Sequence, residues 1–450
     1  MKKKSILAVL FVLFLYLVVL VLFTYFSRTI SFHDTYEYVT LTKEFAGINN
    51  INVYTTHSLI FPFFAGQILK LFPNIFVLKL LGSIWLFFTA LLIYFYSKNK
   101  KALLLFVFSP ITWFISIQYT PIIPSAFFIL LAYVLFKKYE QNDSKISFLF
   151  SGISSGIAIS IYYPSLSIIL FFILVFMFNK KFYVPFSYIM VLLASLIPEF
   201  ILNYIFFKMP FYSLIRYFGI NALVLAGKSF KVGFIYFYWA LIPFAITLFL
   251  YKLLRIDFKK FRKELIFILL SAIFFAVRGG DLKYFYLFAP IILLILSQVI
   301  SKKEIKINSL ISLVLIIILT YSYFGNTVDA KITKDLEEIK TEYPSSQYLT
   351  SNNRASMLAS FSWSSMPKFI WLWEYEFENE NKTIVSSYEI RSNPKISSDK
   401  LLSISINMVK NSKIVIYHPV YLIAKRGDEI PNEFNFIKSY ELLDLYERKV

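Results

Sequence analysis

The sequence contains no cysteine. That absence excludes a disulfide framework, a thiol nucleophile and any Cys-ligated metal. Its three histidines are too few for a His-rich metal site. Charge is scarce as well: Asp, Glu, Lys and Arg make up 16% of 450 residues, against about a quarter of a soluble chain. Apolar residues take their place, at 58% hydrophobic, 20% aromatic and a mean hydropathy of +0.64. This composition excludes a disordered chain and an ordinary cytosolic enzyme. It predicts a polytopic α-helical membrane protein.

Acidic residues are the scarcer sign, 27 against 46 Lys and Arg, for a net charge of +19. In a soluble chain such an excess suggests nucleic acid. Here it is unevenly spread. Residues 326–450 carry 16 basic and 17 acidic side chains, leaving 30 and 10 for residues 1–325. The chain thus divides into a basic, apolar part, 1–325, and a nearly neutral part, 326–450.

Apolar runs of spanning length occur at 5–27, 75–96, 102–118, 120–136, 146–161, 163–179, 182–206, 232–251, 264–277, 284–300 and 307–324, about 11 in all. The first is too long for the apolar core of a signal peptide and lacks a small-residue cleavage site. With Met1–Lys4 in the cytoplasm, alternation puts Lys98, Lys100, Lys101, Lys137, Lys138, Lys145, Lys180, Lys181, Lys302, Lys303 and Lys306 on the inside. So are the six basic residues between Lys252 and Lys263. This is the positive-inside pattern. It predicts a multi-pass plasma-membrane protein with residues 326–450 extracytoplasmic. Residues 58–72 are too short to cross and are expected as a helix in the outer interface, within a first outside loop of 28–74. The loop 207–231 breaks the rule, with Lys208, Arg216, Lys228 and Lys231 outside.

Four outer segments could carry chemistry. After the first span comes His33-Asp34-Thr35-Tyr36-Glu37-Tyr38. A helix is predicted from Thr35 to a stop at Gly47, with Tyr38, Leu41 and Phe45 on an interfacial face. Asp34 can cap that helix, with Glu37 completing a capping box, or can take a proton from a hydroxyl acceptor. Next, Arg278-Gly-Gly-Asp281-Leu-Lys283-Tyr284 brackets an outside turn. Its cations can bind a lipid phosphate or simply anchor the interface. In the loop 207–231, Arg216 and Tyr217 lie in a semi-apolar stretch that can meet a lipid-linked substrate or serve as a plain connector. His57 opens the 58–72 segment. Glu199 lies within the seventh run, where an ionisable residue is a functional candidate unless it reaches the interface.

Residues 326–450 read as a small α/β layer. Helix is expected at 329–342 and 398–411, strand at 347–350 and 413–418, and a closing pair at 434–439 and 442–446. No glycine fingerprint or catalytic cluster appears there.

Taken together, these features resemble the GT-C glycosyltransferases, polytopic enzymes that take a sugar from a polyprenyl-phosphate donor on the outer membrane face. His33-Asp34-Thr35-Tyr36-Glu37-Tyr38 resembles the family's acidic motif after the first span. Thr56-His57-Ser58-Leu59 is similar to the start of its juxtamembrane helix, without the Pro-Pro pair. Arg278 to Pro290 is like the opening of a late span. The resemblance implies that Asp34 is the general base, supported by Glu37. It implies that Arg278, Lys283, His57, Arg216 and Tyr284 meet the donor phosphate or substrate. It further implies inverting transfer of a hexose, mannose-like, to a lipid, glycan or protein hydroxyl. No metal and no cofactor are required by this scheme, and no nucleic-acid partner is expected. A transporter or flippase of lipid-linked sugars is the competing reading. It accounts for the spans and outer cations, but less well for an outside domain after an odd number of spans, and no internal repeat is visible.

Overall fold

The computed structural model describes the chain except residues 1–2, 28–34, 49–56, 178–179, 216, 219–257, 278–281, 326, 346, 363–367, 372–419 and 450. Every apolar run except 232–251, which lies outside the described residues, coincides with helix. The helices are α1 (Lys3–Phe26), α2 (Thr35–Phe45), α3 (Ile60–Leu71), α4 (Phe76–Ser97), α5 (Lys100–Val107), α6 (Pro110–Ser116), α7 (Ile122–Asn142) and α8 (Lys145–Ile161). They continue as α9 (Ser165–Met177), α10 (Tyr183–Ser195), α11 (Ile197–Phe207), α12 (Phe258–Val277), α13 (Leu282–Phe285), α14 (Ala289–Val299) and α15 (Lys302–Phe324).

By length and composition, four stretches among the described residues can cross a membrane: Val9–Phe26, Phe76–Ser97, Ile122–Asn142 and Tyr183–Phe207. Among the described residues, proline and turns divide some of the apolar runs. Pro110 opens α6 and splits the third run, and Trp113 Nε1 donates to the carbonyl of Val107 just before the break, at 2.8 Å. The turn at 286–288 leaves only Ala289–Val299 as the long helix of the tenth run. The chain is a helical membrane protein with a small sheet. Its surface agrees with lipid as solvent. On α1, Val9, Leu13, Tyr16, Leu20 and Phe23 are buried at helical spacing, whereas Phe11 and Phe14 are 61% and 59% exposed. Comparable apolar exposure runs along α10, α11 and α15. In water a patch of this extent would be costly.

The turns that carry the basic residues are tightly built. Lys98 and Asp143 end α4 and α7 in the left-handed conformation, and the side chains of Asn99 and Ser144 cap the helices that follow. Contacts link these turns to others. Lys101 Nζ donates to the carbonyl of Ile300 at 2.7 Å. Lys137 pairs with Glu264 at 2.8 Å and with Glu140 at 3.2 Å, and Lys263 reaches Glu140 at 3.4 Å. α8 and α10 pack so closely that a Cβ on Gly156 would lie 2.5 Å from Ser195 Cβ and 2.6 Å from the Leu192 carbonyl oxygen. Such small-residue contact is how apolar helices associate in lipid.

The C-terminal part has α16 (Thr327–Glu342), β1 (Gln347–Thr350), α17 (Asn353–Ser362), β2 (Lys368–Trp371), β3 (Tyr421–Lys425), β4 (Phe434–Ser439) and β5 (Leu443–Arg448). The sheet order is β2-β1-β3-β5-β4, with β1 parallel to both neighbours and the β3–β5 and β5–β4 pairs antiparallel. α17, β2 and β3 were not expected from the sequence. The helix expected at 398–411 and the strand at 413–418 lie outside the described residues. Ile332, Leu336 and Ile339 of α16 pack with Tyr348, Leu358, Ile423 and Leu445 in a core of their own. Asp335, buried on α16, accepts backbone N–H bonds from Glu441, Leu442 and Leu443 at 3.2, 2.7 and 3.1 Å. It holds the β4–β5 turn against the helix. Asp335→Ala strands these donors and should cost on the order of 2 kcal/mol. Thermolysin digestion of the intact protein in detergent should then cut the C-terminal part faster, and an unchanged cleavage rate would contradict this role.

Candidate functional site

α2 was expected to lie in the membrane interface with one amphipathic face. Instead it is covered on both sides. Tyr36, 8% exposed, joins the core of the C-terminal sheet. Tyr38 and Val39 enter the core of the helical bundle. The spacing of Tyr38, Leu41 and Phe45 described one face correctly, but the second face is covered by residues roughly 300 positions later in the chain. Phe45 packs on Phe63 and Phe206, with ring centroids 5.5 and 5.0 Å apart. Gly66 of α3 permits the close approach: a Cβ there would lie 2.6 Å from Phe45 Cβ and 2.9 Å from the carbonyl oxygen of Thr42. Thr42 Oγ1 and Tyr119 OH, 2.5 Å apart, tie α2 to the turn before α7.

This layer carries a half-buried titratable group. His57 Nε2 lies 3.1 Å from Glu37 Oε2, and its Nδ1 lies 3.1 Å from Tyr38 OH. The Tyr38 and His57 rings are 4.5 Å apart and tilted by 32°. A carboxylate only accepts, so Nε2 carries the proton that faces Glu37. In the neutral ring, Nδ1 then accepts from Tyr38 OH. The imidazole is thereby held in one tautomer, with both ring nitrogens engaged and a carboxylate orienting it.

Directly beside His57, α3 begins with one long local bond, from Ile60 N to Ser58 Oγ at 3.3 Å. Leu59 occupies the N-cap position and makes no side-chain cap bond. The missing acceptor is Glu199 of α11, 1% exposed. Leu59 N donates to both of its oxygens at 3.2 Å, and Ile60 N donates to Oε2 at 3.1 Å. Ser58 Oγ lies 3.1 Å from Oε2 and also contacts the Ser160 carbonyl. On the other side, Tyr163 OH and Asn203 Nδ2 donate to Oε1 at 2.5 and 2.9 Å. Ser213 completes the shell through its contacts with Tyr163 and Asn203. A buried carboxylate is costly unless it is hydrogen-bonded, and this one meets donors from every side. Its removal would strand backbone donors at about 1–3 kcal/mol each. Glu199 is therefore bonded within the protein and not turned toward solvent.

The other expected residues divide as follows. Asp34, Arg216 and Arg278 lie outside the described residues. Lys283 is in α13, with only its backbone described. Tyr284 stacks on Phe275 at 5.0 Å and 3°, and on Tyr162 at 6.3 Å and 22°. Tyr217, next to Arg216, packs on Tyr163 at 5.5 Å. Tyr284, Tyr217 and the Glu199 shell thus meet at the 162–163 turn, next to the His57 pair. Sequence reasoning named Tyr38 and Ser58 only as members of motifs and passed over Tyr163, Asn203 and Ser213. The only local signal was the Tyr162-Tyr163-Pro164 interruption between two apolar runs.

Lys43, on the face of α2 toward the sheet, is 2% exposed. Burial pushes its ammonium down to about 8, and Lys340 of α16 adds repulsion. Between about 8 and the ordinary value of 10.5, the folded chain binds fewer protons here than the unfolded chain. The stability linked to this group rises with pH through that window, and below it the full cost of the buried charge is present. Lys43→Met should raise the unfolding temperature at neutral pH and flatten its rise at alkaline pH. An unaltered pH profile would contradict the assignment.

The chain matches no protein-family model and no curated protein sequence.

Proposed function

We propose that the chain is a GT-C-type glycosyltransferase. It moves a mannose-like hexose from a polyprenyl-phosphate donor to a hydroxyl acceptor at the outer membrane face. The observation that carries this reading is the His57–Glu37 pair, 3.1 Å apart, with Glu37 on α2 and His57 in the segment that leads into α3. It lies in a layer between an apolar bundle and the sheet domain. In the full topology, the eleven apolar runs all cross, the N-terminus is cytoplasmic and residues 326–450 are outside.

In the reaction, Asp34 takes the proton of the acceptor hydroxyl. The acceptor oxygen forms a bond to the anomeric carbon as the bond to the phosphate oxygen breaks. The configuration inverts, and polyprenyl phosphate leaves with the bonding pair. Arg278 and Lys283 neutralise the charge that develops on it, as preorganised cations do at a leaving oxyanion. His57 contacts phosphate or sugar, oriented by Glu37, while Arg216 and Tyr284 line the donor's path. The proton on Asp34 is then lost to water.

Asp34→Asn should leave expression and folding intact and abolish transfer from a polyprenyl-phosphate sugar. Wild-type turnover by this variant would remove Asp34 from the chemistry. Arg278→Ala should weaken donor use, and an unchanged donor KM and kcat would take it out of the phosphate site. A reporter fused after residue 330 should read extracytoplasmic. A cytoplasmic readout would invert the topology and discard the function with it.

A further inference from the structure

Glu199 has no part in the chemistry proposed above, yet it is bonded to the residues that follow His57. The chain enters α3 through His57, Ser58 and Leu59. His57 is held by α2, through Glu37 and Tyr38, each at 3.1 Å. The next three residues are held by Glu199, through Ser58 Oγ and the backbone N–H groups of Leu59 and Ile60. Within the segment Ser58 Oγ accepts from Ile60 N at 3.3 Å, whereas Leu59 N donates to Glu199. The carboxylate also suits the electrostatics, because a helix start favours a negative charge. Its other oxygen is fixed by Tyr163 and Asn203, so Glu199 cannot follow α3 if α3 shifts.

We propose that Glu199 is a positioning residue for His57. Its carboxylate caps α3 from across the bundle and so fixes the backbone from which the imidazole reaches Glu37 and Tyr38. It touches neither donor nor acceptor. Only its functional meaning rests on the reading of His57 as a donor-contacting group.

The test uses the full chain in detergent, labelled with nitrogen-15 histidine. The His57 signals are assigned by their loss in His57→Gln. In the wild type the ring shows a single tautomer with the proton on Nε2. Glu199→Gln keeps the size but offers one acceptor oxygen instead of two and turns an amide toward existing donors. His57 should then lose its single-tautomer signature and move toward the averaged shifts of a ring exchanging between tautomers. Tyr163→Phe removes one donor on the side of Glu199 away from α3, where Asn203 and Ser213 still hold Oε1, and should disturb His57 much less than Glu199→Gln does. An unchanged His57 in Glu199→Gln overturns the proposal. So does a disturbance by Tyr163→Phe as large as that by Glu199→Gln, since it would report general loosening. If Glu199→Gln does not fold, Ser58→Ala decides. A shift of His57 in the same direction supports the proposal, and an unchanged His57 overturns it. Where sugar transfer is measured, Glu199→Gln should raise donor KM roughly tenfold, about what one net hydrogen bond is worth, with kcat retained. A tautomer change in a protein that transfers no sugar would leave the positioning role standing and remove only the transferase reading.

Discussion

The backbone N–H groups of Leu59 and Ile60 at the start of α3 need an acceptor beyond the long bond from Ile60 N to Ser58 Oγ, and much of this layer depends on where they find one. They find it in Glu199, about 140 positions away. In an apolar bundle the alternative to such a bond is an unsatisfied donor, and water is not available to relieve it. The carboxylate is tolerated for the same reason: each of its oxygens meets donors from the protein. The start of α3, the 162–163 turn and the kinked α10–α11 pair are thereby joined at one point. His57 stands at the edge of that point, half-buried, where α2 completes its partners.

The second organising feature is the position of α2. It shares Tyr36 with the sheet core and Tyr38 with the bundle core, so this helix belongs to both. The sheet domain is a cover on the very segment whose acidic residues were singled out from the sequence. Its cost is visible in Lys43, a cation taken out of water in this contact. A loop held this way keeps Glu37 and His57 at a fixed distance, which a freely moving interfacial helix would not do. That rigidity is what a site for positioning a lipid-linked substrate requires.

Local pattern made part of this legible. Unbroken apolar stretches marked α1, α4 and α7, and Asp329 to Glu342 before Tyr343-Pro344 marked α16. Gln347–Thr350 was expected as a strand and is β1; the closing hairpin was expected two residues short of its end at Arg448. What the pattern could not show was partnership across the chain. An amphipathic count on α2 sees one face and cannot see that residues 332–359 cover the other. The proline breaks were visible as residues, but not how far they would shorten the helices. Tyr163, Asn203 and Ser213 look like ordinary polar interruptions of apolar runs until Glu199 is placed among them. Glu199 itself stood out because an acid is rare there, and only its surroundings decide between a buried node and a group reaching the interface.

The central claim is that this layer serves transfer of a sugar from a lipid phosphate, and the movement of a label tests it most directly. The purified protein is incubated with polyprenyl-phosphate sugars carrying label in the sugar, together with a hydroxyl acceptor fraction from the outer membrane face. The account predicts that the label leaves the lipid and appears on the acceptor with inverted anomeric configuration, releasing polyprenyl phosphate. Label that stays on the lipid, or that crosses a reconstituted bilayer with its phosphate bond intact, would contradict it and favour a carrier of lipid-linked sugars.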